Sequence, residues 1–173
     1  MGNQTQLIME RIQIALISAS LVLTGLSAGL FYGWSVSVIP GTRKIDDLSY
    51  LNTMQSINRE ILNPGFFIVF LGSLIALGLS TYFTYSISTT GFSMLLIATL
   101  TYLTGTIGVT GMGNVPLNNE LEALVITDLS SQEIAAFRQY YESQWNRLHH
   151  YRMLFSVLSF IMTLVPLNLQ FKN

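Results

Sequence analysis

Residues 138–163 read RQYYESQWNRLHHYRMLFSVLSFIMT, and this stretch decides the fold. Arg138, Tyr141, Trp145, His149, Arg152, Ser156, Ser159 and Thr163 recur every three or four residues. At about 100° per residue on a helix they fall within an arc of roughly 80°. Leu148, Met153, Leu154, Phe155, Val157, Leu158, Phe160, Ile161 and Met162 cover the rest of the surface. A histidine and an arginine on one stripe of an apolar helix are costly to expose to lipid. Such a stripe is expected to face the interior of a membrane bundle and to mark a path or a site.

The rest of the chain supports that setting. Of its 173 residues 50% are hydrophobic and 10% charged, against about 25% charged in soluble domains. A net charge of -1 without a clustered basic face argues against nucleic-acid binding. Cysteine is absent, which excludes disulfides, thiolate metal sites and a cysteine nucleophile. Four apolar segments, at about 12–39, 64–87, 92–112 and 148–169, are each long enough to cross a bilayer. The first is too long for a signal-peptide core and has no clear small-x-small cleavage site, so it reads as a retained helix. The expected fold is therefore all-α, a transmembrane four-helix bundle forming a single integral membrane domain over residues 1–173. An even number of spans places both termini on one side and two long loops, 40–63 and 113–147, on the other. Arg43, Lys44, Arg59, Arg138 and Arg147 bias the long loops toward the cytoplasm. Arg59 and Arg147 also suit a site, so orientation is left unassigned.

Within the first long loop, Leu48, Leu51, Met54, Ile57 and Ile61 recur at helical spacing and predict a short amphipathic helix. Pro40-Gly41 separates it from the first span, and Asn63-Pro64 ends or kinks it before the second. A tight turn at Ser88-Thr89-Thr90-Gly91 joins the second and third spans. Gly113-Asn114-Val115-Pro116 is expected to end the third span. Ser130-Ser131-Gln132-Glu133 has the form of a capping box. It predicts one long helix from about 131 to 165 that projects beyond the bilayer and carries the stripe.

His149 is a candidate general base and Arg152 a candidate binder of a carboxylate, phenolate or developing oxyanion. Both also lie near the start of the span, where polar side chains snorkel to headgroups. Trp145 and Tyr141 suit the wall of a pocket for a flat ligand, and Trp145 equally suits an interfacial aromatic belt. Gln55, Asn58, Arg59 and Asn63 form a second polar cluster, read first as helix-bridging and capping. Asn114, Asn118, Asn119 and Glu120 form a third, with turn chemistry as its plain reading. Two adjacent histidines cannot share a helix face, so no metal site is expected; haem on a single histidine has no specific support. Gly25, Gly29 and Gly33 permit close helix approach, within the chain or with a second copy or partner subunit.

Taken together, the three clusters resemble the anthrone-oxygenase-like family of small four-span membrane proteins. The resemblance rests on Met54-Gln55-Ser56-Ile57-Asn58-Arg59 with Asn63-Pro64, on Val115-Pro116-Leu117-Asn118-Asn119-Glu120-Leu121, and on Trp145 followed by His149, His150 and Arg152. Gly29, Phe31 and Pro40 also fit. It implies a four-helix bundle with a pocket and oxidation of an anthrone by dioxygen without a dedicated cofactor. His149, Arg152 and Asn118 then become the catalytic candidates, and Trp145, Tyr141, Asn58, Asn63 and Gln55 the substrate-binding ones. The expected partners are a small hydrophobic or aromatic ligand and membrane lipid. A non-catalytic membrane subunit or scaffold, or a lipid- or quinone-binding protein, is the alternative from another class.

Overall fold

The computed structural model describes residues 3–170, all-helical with no strand among them. Helix α1 (Asn3–Gly33) passes through a widened turn (Trp34–Val38) into α2 (Ile39–Thr42). Helix α3 (Asp47–Glu60) precedes α4 (Pro64–Thr84) and α5 (Thr89–Thr101). Two further widened turns, Tyr102–Gly108 and Thr110–Asn114, continue α5 into α6 (Val115–Glu122). Helix α7 (Ser131–Gln170) closes the chain.

Four continuous helices are long and apolar enough to cross a membrane: Gln4–Thr42, Pro64–Thr84, Thr89–Glu122 and Ser131–Asn168. They form a four-helix membrane bundle in which α1 packs on α4 and α7, and α5 on α4 and α7. At 1.5 Å per residue the 40-residue α7 is about 60 Å long. That is twice the hydrocarbon thickness of a bilayer, about 30 Å. Its first turns therefore project from the membrane, where α3 and α6 pack against them.

The helix starts follow from local chemistry. Asp46 accepts from the Ser49 N–H at 2.9 Å, Asn63 from Phe66 at 3.0 Å and Ser88 from Gly91 at 3.1 Å. At α7, Ser130 and Glu133 bond reciprocally, at 2.8 Å from the Ser130 N–H and 3.3 Å from the Glu133 N–H. These side-chain acceptors satisfy donors that a helix start leaves without partners.

The prolines behave differently from the sequence expectation. Neither Pro40 nor Pro116 ends a span. In a regular helix the proline ring collides with the carbonyl four residues back. Here the Ile39 N–H reaches Trp34 O and the Val115 N–H reaches Thr110 O, five residues back in each case. The wider turn moves the obstructing carbonyl aside and lets the helix continue through the proline. Leu48 is a second correction, since it is 45% exposed. Tyr50, Leu51 and Met54 form the buried face of α3 instead.

The widened turns also set side-chain register. Residues four apart on an α-helix drift by about 40° per step. Wider turns counter that drift, and Tyr102, Thr106, Thr110 and Asn114 all stay buried along one line. This line faces the α7 stripe. From Tyr141 to Thr163 every stripe residue is buried, whereas Leu154, Leu158 and Ile161 are exposed on the opposite face.

Between the helices runs a column of hydroxyls. Gln13 donates to Thr84 at 3.1 Å, Ser20 and Ser80 meet at 2.8 Å, and Ser27 meets Tyr102 at 2.8 Å. Ser156 donates to Ser27 at 3.2 Å, and Ser159 to Ala98 O at 2.9 Å. Such bonds contribute about 0.6 kcal/mol each in membrane bundles, so they fix helix register more than they hold the bundle together. Outside it, Arg138 ties the α2–α3 corner to α7. It donates to Ile45 O at 2.7 Å and Asp47 at 2.9 Å, and its guanidinium lies 4.5 Å from the centre of the Tyr50 ring. Burial, and then the nearby Glu142 carboxylate, push the Tyr50 phenol well above its ordinary range, so this ring stays neutral under the cation.

Candidate functional site

The stripe, α3 and α6 converge at the loop end of the bundle around a cavity of about 90 Å³. Asn58 of α3, Asn118 of α6, and Trp145, His149 and Arg152 of α7 line it together. Phe31 and Trp34 supply a wall from the first span, and Leu62 stands on its rim, 65% exposed.

Arg152 is the unusual group. It is 8% exposed, and among the described residues no carboxylate lies within 4.0 Å of it. Its charge is held by aromatic faces instead, with Phe31 at 4.8 Å and Trp145 at 4.9 Å from the guanidinium carbon. Its Nε and Nη2 lie 3.2 and 3.1 Å from Nδ1 of His149. Its Nη1 has no protein acceptor among the described residues, yet it is not fully buried.

Those contacts fix the state of His149. Arginine can only donate, so Nδ1 must be the lone-pair nitrogen. On the other side Nε2 is 3.1 Å from the Phe31 carbonyl, which can only accept. His149 is therefore neutral with its proton on Nε2, and Ser35 lies 3.0 Å from the same nitrogen. Its ring stacks on Trp145 at 5.2 Å with planes 6° apart.

The asparagines are fixed by the same reasoning. The Trp145 indole N–H, a donor only, reaches Asn118 at 2.8 Å, which assigns Oδ1 to that position. Tyr141 donates to the same Oδ1 at 3.0 Å and receives Nδ2 of Asn58 at 3.1 Å. Asn118 Nδ2 and Asn58 Oδ1 are left without protein partners among the described residues. Three side chains that line the cavity thus keep polar atoms free of protein hydrogen bonds among the described residues: the donors Arg152 Nη1 and Asn118 Nδ2 and the acceptor Asn58 Oδ1. Such donors, in a low-dielectric site, can stabilise negative charge on an oxygen.

The other candidates lie elsewhere. Tyr141 is fully buried behind the cavity and orients both asparagines. Gln55 spends its amide on Leu121 O at 2.9 Å and Leu124 O at 3.3 Å, joining α3 to the end of α6. Asn63 caps α4 and donates to Glu60 O at 2.7 Å. Arg59 forms an exposed ion pair with Glu122 at 2.7 Å. A Cβ at Gly29 or Gly33 meets nothing within 4 Å, while one at Gly25 would sit 3.1 Å from Phe160. Sequence reasoning noted Phe31 only as fitting the family resemblance and did not single out Trp34, so neither was a site candidate. Their aromatic character gave no positional signal, because only the approach of α1 to α7 places them beside Arg152. It also missed Thr110, which lines the cavity from a widened turn, a feature frequent at functional sites.

The model of the family described as anthrone oxygenase matches residues 66–162, more than half of the chain. The matched stretch contains Asn118, Trp145, His149 and Arg152, and leaves out Phe31 and Asn58. No curated protein and no solved structure matches the chain.

Proposed function

Since the chain belongs to the anthrone oxygenase family, we propose that its cavity binds a flat phenolic or enolic ligand as the oxyanion and promotes its oxidation by dioxygen. The observation that carries this reading is Arg152, a buried cation that has no acid partner among the described residues and lines an apolar, aromatic-walled cavity. Burying an unpaired charge costs several kcal/mol. A site that retains one is suited to an anion that arrives with the ligand.

The proposed sequence begins when the anthrone carbonyl oxygen takes the Arg152 guanidinium and Asn118 Nδ2. Turning toward the ligand releases Nδ1 of His149, which accepts a proton from the ring methylene. The enolate so formed transfers one electron to dioxygen. The resulting radical pair joins in a carbon–oxygen bond, giving a peroxide anion. His149 returns its proton to that peroxide. The second methylene hydrogen then leaves as a proton while the O–O bond of the hydroperoxide breaks and releases hydroxide, so that water departs and the new carbon–oxygen bond becomes the second quinone carbonyl. One dioxygen is consumed, and one quinone and one water are formed.

A cavity of about 90 Å³ is far below the 300–1,000 Å³ typical of ligand pockets. The ligand must therefore displace rim side chains, among which Leu62 at the α3–α4 break is exposed. The test is oxygen uptake and quinone absorbance with a hydroxylated anthrone, over the spontaneous rate. Wild type accelerates the reaction, and Arg152→Gln loses about 10²–10³-fold of that acceleration. Equal rates for wild type, variant and protein-free buffer reject the oxygenase. A second reading, binding without turnover, is favoured by one observation: Arg152 occupies the very lone pair that His149 would use as a base. It predicts tight binding of a hydroxyanthraquinone with no oxygen uptake.

A further inference from the structure

A second depression lies on the outer face of α7, lined by Arg43, Gln139, Glu142, Asn146, Arg147 and His150, with a volume of about 420 Å³. None of these residues lines the Arg152 cavity. Arg147 is exposed and has no hydrogen-bond or acid partner among the described residues. Arg43 reaches Glu142 only at 3.6 Å, and that carboxylate is held more closely by Arg138, at 3.1 Å. The acid is thus already shared between two arginines and leaves Arg147 uncompensated. His150 donates from Nδ1 to Asn146 O at 2.6 Å, because a carbonyl can only accept, so its N–H is spent within the helix.

The groove's depth is set by its neighbours on the helix. Tyr151, Leu154, Leu158 and Ile161, the exposed apolar residues that follow, are 37–51% accessible and form the lipid-facing surface of α7. Arg147 and His150 sit directly before them, at the level where the helix enters the membrane. Arginine pairs with phosphate oxygens through two parallel N–H bonds. Basic residues near an anionic membrane surface contribute about 1 kcal/mol each.

We propose that this groove binds a phosphate-type oxyanion through Arg43 and Arg147, supplied by the headgroup of an anionic phospholipid. Free phosphate offers the same chemistry, and the test separates the two. Melting of the full chain in neutral detergent is followed with phosphatidylglycerol, with phosphatidylcholine, and with inorganic phosphate against chloride at matched ionic strength. Phosphatidylglycerol raises the melting temperature and phosphatidylcholine does not. The Arg43→Gln/Arg147→Gln double variant binds it about tenfold or more weakly. Arg11→Gln, an exposed cation on α1 that does not line the groove, keeps the full response. A shift with inorganic phosphate that the double variant also loses supports the oxyanion site and assigns it to free phosphate. The proposal is overturned if neither anion shifts melting, if the double variant keeps the response, or if Arg11→Gln loses as much.

Discussion

At the scale of single residues, the polarity of each partner decides what the site can do. Arg152 can only donate and Phe31 O can only accept, so His149 is held neutral, 3.1 Å from each. Asparagine offers the same pair of an acceptor and a donor but no usable base. His149→Asn is therefore expected to keep the fold and ligand binding while losing turnover, whereas His149→Leu weakens both. Calorimetric binding of a hydroxyanthraquinone beside oxygen uptake reads the difference; unchanged turnover in His149→Asn would remove the histidine from the chemistry. The candidate site was only partly visible in the sequence. Helical spacing alone put Trp145, His149 and Arg152 on one face. It could not distinguish Asn118 and Asn58, which meet the cavity, from Gln55 and Asn63, which satisfy nearby backbone groups. That choice depends on how α3 and α6 rotate over the bundle, which involves contacts of high sequence separation.

Among the elements, the third span is the most informative. Its widened turns carry it through Pro116 and hold Tyr102, Thr106, Thr110 and Asn114 on the inner line. Hydrophobic length located this span in the sequence, but proline was read as its end, because a change in hydrogen-bond spacing leaves no compositional mark. Gly105 lies on the same stretch, where a Cβ would overlap the Phe155 side chain. Gly105→Ala is accordingly expected to push α7 from α5 and cost about 1–3 kcal/mol, despite the better helix propensity of alanine. Thermal melting in detergent checks this, and a more stable Gly105→Ala protein would refute the close approach. Arg138 acts at the same scale. It donates to Ile45 O, Thr42 O and Asp47, so Arg138→Ala should free the α2–α3 corner and expose it to limited proteolysis near Lys44. An unchanged cleavage pattern would show that other contacts hold the corner.

For the whole molecule, the four-helix membrane bundle was plain from composition and four apolar segments, because lipid admits few other ways to satisfy a backbone. Four spans place Gln6 on one side and Asp128 on the other, and both are exposed. The chain has no native cysteine, so single cysteines at these positions give clean labelling with an impermeant reagent. Opposite accessibility is expected, and labelling of both from one side would break the topology. The polar column and the cavity belong to this scale as well. The α7 stripe gathers hydroxyls along the bundle axis and ends at Arg152 under the caps of α3 and α6. The central claim is that this arginine remains unpaired because its partner is the ligand. The most direct measurement is the affinity of Arg152→Gln for a hydroxyanthraquinone, taken with its melting temperature. The account predicts an affinity lowered at least tenfold and stability within about 1 kcal/mol of wild type, since the lost charge also removes its own desolvation cost. Unchanged affinity, with a stability loss of about 3–5 kcal/mol, would contradict it and make Arg152 a structural cation.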